Sequence, residues 1–162
     1  MSSMLQNTFI VIATVIGMEV FAWASHKYVM HRWGWAWHAS HHAPAHERRG
    51  WFERNDLYAV VFAGVAIALI AMAAVGDSRF EVLRWIGAGM TLYGLLYFVA
   101  HDGLVHKRWP LRWVPRSGYF KRLYQAHRLH HARRGPQDCV SFGFLWAPSA
   151  ARLKRELDRA KG

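Results

Sequence analysis

The sequence predicts an all-α integral membrane protein: three transmembrane helices, or four, bearing a helical cap on the cytoplasmic side. Three observations predict it. Three separate stretches are apolar over bilayer-spanning lengths, the cationic residues gather on one side of them, and ten of the eleven histidines fall into two matching sets. The 162 residues read as one domain, 1–162, long enough to bury one core but not two.

The first element runs from Met4 to Ala24, with Gln6, Asn7 and Thr8 near its start and Glu19 as its only charge. Ala22-Trp23-Ala24 mimics a signal-peptide cleavage site, but residues 1–18 hold no Lys or Arg. The positive region of a secretory signal is therefore missing, and the expectation is a retained anchor over 4–24. The second element, 57–76, carries no charge, and the third, 82–100, carries only Arg84, close enough to its end to snorkel. A spanning helix needs about 20 apolar residues at a rise of about 1.5 Å each. A chain this small could hardly cover three such helices with protein. A fourth apolar stretch, Val140–Ala150, has 11 residues and contains Pro148, so it reads as interfacial or re-entrant.

A net charge of +11 and a mean hydropathy of −0.02 suggest a soluble basic protein only while position is ignored. Fourteen Lys and Arg follow residue 106, against three acidic residues. Residues 25–56 carry five more, and the 77–84 link carries Arg79 and Arg84. The excess of cations on cytoplasmic loops places the N-terminus outside, and 25–56 and 107–162 in the cytoplasm. Beside a membrane, a basic segment meets anionic headgroups, which is a simpler account than nucleic-acid binding. With a single Cys, an internal disulfide or a thiolate metal site is excluded.

The histidines occur as His26-x4-His31, then His38-x2-His41-His42, and again as His101-x4-His106, then His127-x2-His130-His131. The clusters occupy 26–42 and 101–131, each beginning at the cytoplasmic end of a span; His46 lies outside the pattern and reads as a loop residue. Neutral imidazole is a common ligand for Fe, Zn, Cu and Ni. In His-x2-His-His the three rings are expected on one helix face, converging on one point. In His-x4-His, five steps of about 100° separate the rings by roughly 140° on a regular helix. Both then bind only if the helix bends or unwinds, or if they serve different metals; Gly103 permits a bend in the second pair. Ten imidazoles exceed the four ligands of a structural zinc site, so two ions sharing the set fit better. The cap is thus expected to carry a His-rich dimetal site. A transporter would place such ligands near the midplane of the bilayer, and a haem site would leave most of them unused.

These motifs, together with Asn55-Asp56-Leu57-Tyr58, His101-Asp102-Gly103-Leu104-Val105-His106, Tyr124-Gln125-Ala126-His127-Arg128-Leu129-His130-His131 and Cys139-Val140-Ser141-Phe142-Gly143-Phe144, resemble the membrane-bound histidine-motif hydroxylase and desaturase superfamily. Within it, the chain is most similar to the bacterial β-carotene hydroxylases, over nearly its whole length. The resemblance implies a non-haem di-iron monooxygenase in a bacterial plasma membrane. It would use O2 and electrons from a reduced ferredoxin-like donor to hydroxylate C3 of the β-ionone rings of a carotenoid drawn from the membrane lipids. β-Carotene would become β-cryptoxanthin and then zeaxanthin, and a 4-keto ring would lead to astaxanthin. The resemblance makes His26, His31, His38, His41, His42, His101, His106, His127, His130 and His131 the ligands of two iron ions, with zinc as a substitute, and implies no nucleic-acid partner. The alternative is a fatty-acid or sterol enzyme of the same superfamily.

Two further groups of residues suit this chemistry. Asp102 and Asp138 are carboxylates able to accept a ring N–H from a ligating imidazole and fix its tautomer. Trp33, Trp35 and Trp37 precede one motif, and Tyr93, Tyr97 and Phe98 precede another. They are candidates for the walls of an apolar substrate channel, although Trp and Tyr also gather at membrane interfaces as anchors.

Overall fold

The structure, a computed structural model, describes residues 3–43, 52–110 and 113–160. Among them there is no strand. Helix α1 (Ser3–Ser25) continues into a π-helical turn at His26–Met30, and a short helix α2 (Trp35–His42) follows. Helices α3 (Asp56–Val75) and α4 (Glu81–Tyr97) come next, α4 running into a second π-helical stretch at Phe98–Val105. The cap is completed by α5 (Gly118–His130) and α6 (Ala150–Arg159). His46 lies outside the described residues.

Three continuous helical segments, Ser3–Met30, Asp56–Val75 and Ser78–Val105, are long and apolar enough to span a membrane. Their surfaces are inverted relative to a soluble bundle. Phe9, Ile12, Ile16, Val61, Ile67 and Leu95 all stand exposed, while the buried positions of α3 are Ala66 and Ala73. Hydrophobic faces of this extent are covered by lipid.

Helix α4 lies between the other two, and glycine makes the close approach possible. A Cβ on Gly87 would come within 2.9 Å of the Ala66 carbonyl of α3. On Gly89 it would meet Thr14 Cβ of α1 at 2.6 Å. Helices that gain nothing from leaving lipid for one another depend on such small-residue contacts for their packing.

A second, conventional core closes the cap. Leu123 and Ala126 of α5 pack with Val140, Ala147, and Leu153 and Leu157 of α6. Leu153 and Leu157 are one turn apart, and Ser149 caps the start of α6 by accepting the Arg152 N–H. Of Val140–Ala150, the apolar stretch expected to be interfacial or re-entrant, only Ala150 is helical, as the first residue of α6. Val140 and Ala147 pack in the cap core, Phe142 and Phe144 lie against His26, and Trp146 stands exposed.

Candidate metal centre

Both His-x4-His pairs sit in π-helical turns. The N–H of His31 bonds the carbonyl of His26 at 3.0 Å, and the N–H of His106 bonds that of His101 at 2.9 Å. A backbone bond spanning five residues widens the turn until residues five apart share a face. The unwinding anticipated for these pairs takes this form, and the first pair achieves it without a glycine.

The rings assemble into two centres. In the first, His26, His31, His38, His42 and His130 each place one ring nitrogen within 4.8 Å of the others. In the second, His41, His101, His106 and His127 do the same, and His131 joins its edge with Nε2 2.9 Å from Nε2 of His127. The expected convergence of each His-x2-His-His on one point is corrected here. His38 and His42 are four apart and face the first centre, whereas His41 turns to the second; at the end of α5 His127 and the capping His131 face the second and His130 crosses to the first. Adjacent helical residues diverge by about 100°, so the middle histidine cannot follow both neighbours.

What lies behind the rings of the first centre fixes their tautomers. Nδ1–H donates to the carbonyl of Phe142 from His26 (2.9 Å), of Pro136 from His31 (3.0 Å), of Arg133 from His42 (3.0 Å) and of Val140 from His130 (2.9 Å). His38 Nδ1 donates to Asn55 Oδ1 at 2.7 Å. A neutral imidazole has one N–H, so all five Nε2 atoms are bare lone pairs. Yet His26 and His38 bring theirs to 3.1 Å, and His31 and His130 to 3.2 Å. Those contacts cannot be hydrogen bonds, and His42 Nε2 is buried with no hydrogen-bond partner. Five converging lone pairs repel one another unless a cation lies among them, so the donor set fits a metal ion.

The second centre has carboxylates behind it. His101 Nδ1 donates to Asp102 Oδ1 at 2.7 Å, and His41 Nδ1 is 3.6 Å from Glu53 Oε2. Arg108 ties this side together, reaching Asp102 at 3.1 Å and both oxygens of Asp56 at 2.8 Å. The bond to Asp56 raises the pKa of Arg108 further and keeps it charged. Within the centre, His41 and His101 bring Nε2 atoms to 3.0 Å, and His106 and His127 to 2.9 Å.

Burial keeps these imidazoles neutral. It lowers His38 to about 3, despite the opposing bond to Asn55, and His31 to about 4 against the bond to Pro136. His41, His127 and His130 lie well below their ordinary value, again chiefly through burial, with neighbouring histidines adding to it. Cys139 is pushed up to about 11 by burial, and it belongs to neither cluster of converging ligands.

A cavity of about 680 Å³ opens among α1, α3 and α4 and runs to both centres, reaching His38 of the first and His101 of the second. Tyr93, Tyr97 and Phe98 line it. Trp33, Trp35 and Trp37 lie elsewhere. Trp35 packs on His31 and His42 at 5.4 and 5.2 Å, Trp37 lies against Tyr58, and Trp33 is 81% exposed. Asp102 stands behind His101, but Asp138 is exposed in the loop whose carbonyls take that role. Those carbonyls left no trace for sequence reasoning to find, since any residue carries one. Asn55 and Glu53 are side chains it passed over; Asn55 was visible only as part of the Asn55–Tyr58 motif.

The fatty acid hydroxylase family model matches residues 11–148. The chain is 60% identical to a protein named beta-carotene hydroxylase from Pantoea ananas, covering 96% of this chain and 86% of that one. It is 61% identical to another of that name from Pseudescherichia vulneris, over 98% and 87%. With the chloroplastic beta-carotene 3-hydroxylase of Haematococcus lacustris it shares 36% identity over 94% of this chain and 50% of that protein. No solved structure matches it significantly.

Proposed function

This chain belongs to the fatty acid hydroxylase family, and from that premise we propose that it is a membrane-bound carotenoid hydroxylase acting at C3 of β-ionone rings. The observation that carries the reading is the cavity: walled by the apolar helices and ending on His38 and His101, it admits a substrate that never leaves the bilayer. β-Carotene is such a substrate, and the near relatives are named for it.

The first centre would hold one metal ion through His26, His31, His38, His42 and His130. The second would hold another through His41, His101, His106 and His127, with His131 beside them. Bound there, two iron ions would supply the activation of O2. In the net reaction one oxygen atom enters a ring C–H bond and the other leaves as water, with two electrons and two protons from the donor side.

The protein's own groups do the rest. The carbonyls of 133–142 hold four imidazoles with Nε2 toward the first centre, and Asp102 holds His101 toward the second. Such supports fix ring orientation and raise ligand basicity. Apolar walls from Ala59 to Phe98 exclude water from the ring being oxidised. The N-terminus would lie on the outer side of the membrane and the basic cap on the cytoplasmic side, where its charge suits an acidic ferredoxin-like donor.

Purified protein in lipid vesicles, supplied with iron, reductant and β-carotene, is expected to form β-cryptoxanthin and then zeaxanthin. A hydroxylated or desaturated acyl chain with untouched carotenoid would favour the fatty-acid or sterol reading instead.

A further inference from the structure

Glu19 is the only charge between Met4 and Ala24 of the first span, and the metal centres do not use it. A carboxylate at such a depth calls for a named partner. It has four. Oε1 accepts the backbone N–H groups of Phe144 (2.9 Å), Leu145 (3.0 Å) and Trp146 (2.9 Å), and Oε2 accepts the hydroxyl of Tyr93 (2.8 Å). Hydrogen bonds to an ionised acceptor are the strong kind. Span one thus grips the turn at 144–146 and is joined through Tyr93 to α4. Gly143 makes the grip possible, because a Cβ there would stand 2.8 Å from Glu19 Oε1 and 2.6 Å from the Trp146 carbonyl.

The turn carries Phe144. Its ring stacks on His26 of the first centre, 5.0 Å away and 9° from parallel. It also meets His101 of the second centre at 5.5 Å and Tyr97 at 4.7 Å, both edge-on. Phe144 lines the cavity, whereas His26 beneath it does not. This ring therefore stands between the cavity and His26, beside His101, where the cavity reaches the second centre.

We propose that Phe144 is the end stop of the substrate cavity, deciding which carbon of the entering ring faces the metal centres, and that Glu19 is the positioning residue that fixes it. The inference rests on the carotenoid reading for the identity of the entering ring. A hydrophobic end stop discriminates through shape. Shortening it lets the substrate slide deeper, and loosening its anchor lets it settle in more than one register.

The test uses the full chain in lipid vesicles as wild type, Phe144→Leu, Phe144→Ala and Glu19→Gln, each first analysed for bound iron. With iron content equal to wild type, Phe144→Ala is expected to place at least about a tenth of its hydroxyl groups at ring carbons other than the wild-type position. Glu19→Gln should do so to a smaller extent, and Phe144→Leu, which shortens the stop by less, to an extent between wild type and Phe144→Ala. A Phe144→Ala enzyme that keeps its iron and the single wild-type position overturns the proposal. A second readout needs no turnover: β-carotene quenching of tryptophan fluorescence in metal-free protein. There Phe144→Ala should weaken binding by about fivefold or more, and an unchanged Kd overturns the end stop. A wild type that binds β-carotene without hydroxylating it overturns the carotenoid reading, and the binding series still decides on Phe144.

Discussion

His41 and His130, the middle histidines of two His-x2-His-His motifs 89 positions apart in the chain, each leave their own motif's centre and join the other's. The exchange couples the two halves of the chain at the site. Neither half can complete its centre alone, which accounts for a duplicated ligand pattern without any duplicated fold.

Neighbours in the chain should therefore behave as members of different sites. His41→Ala is expected to lower bound metal from about two ions per chain to about one, and His42→Ala likewise, but from opposite centres. Combining His41→Ala with His101→Ala should cost little more metal than either change alone, whereas His41→Ala with His26→Ala should remove both ions. Elemental analysis of these single and double variants checks this.

Asp102 holds His101 through Nδ1 at 2.7 Å. Asp102→Asn removes the charge behind the ring and leaves its size, so metal affinity at the second centre should fall by about 10- to 100-fold while the first is unaffected. Competition with a graded chelator series should show one ion released early and one late; two ions leaving together would contradict it.

Acid should destabilise the metal-free protein over a defined window. The folded chain holds His31 near 4 and His38 near 3 by burial, whereas unfolding returns both to about 6.5. Below about 6.5 the unfolded chain binds more protons than the folded one, so stability is lost as pH falls from there toward about 4. Thermal unfolding of the chelated protein in detergent between pH 7.5 and 4.5 should show Tm dropping in that range.

Packing of the spans depends on Gly89, whose Cβ position is 2.6 Å from Thr14, whereas Gly64 faces open space. Gly89→Leu should destabilise the protein by about 1–3 kcal/mol or more through overpacking, and Gly64→Leu should be close to neutral. Chemical denaturation in mixed micelles compares them.

The spans and the ten histidines were legible because both are written in residue type: apolar runs of bilayer length, and imidazoles at repeated spacings. Which histidine joins which centre was not, because it depends on the π-helical turns at His26–Met30 and Phe98–Val105 and on a divergence of one residue in α2 and α5. The supports of the first centre were hidden for a different reason. Arg133, Pro136, Val140 and Phe142 act through backbone oxygen, which no composition or motif reports. Glu19 stood out as a lone charge in an apolar helix, but its partners at 144–146 are N–H groups more than a hundred residues away. The tryptophans illustrate the converse. Three aromatics close together before a ligand motif suggested a channel, while the cavity took its aromatic wall from Tyr93, Tyr97 and Phe98 on the span itself.

Isotope labelling shows whether the metal centres and the lipid-facing cavity serve a single reaction. Iron-loaded protein in vesicles containing β-carotene is given reductant and 18O2, and the carotenoids are analysed by mass spectrometry. The expected products are 3-hydroxylated rings whose oxygen carries the label, with none from His41→Ala. Unlabelled or absent hydroxyl on the carotenoid, with the label in an acyl chain or in water alone, would contradict it.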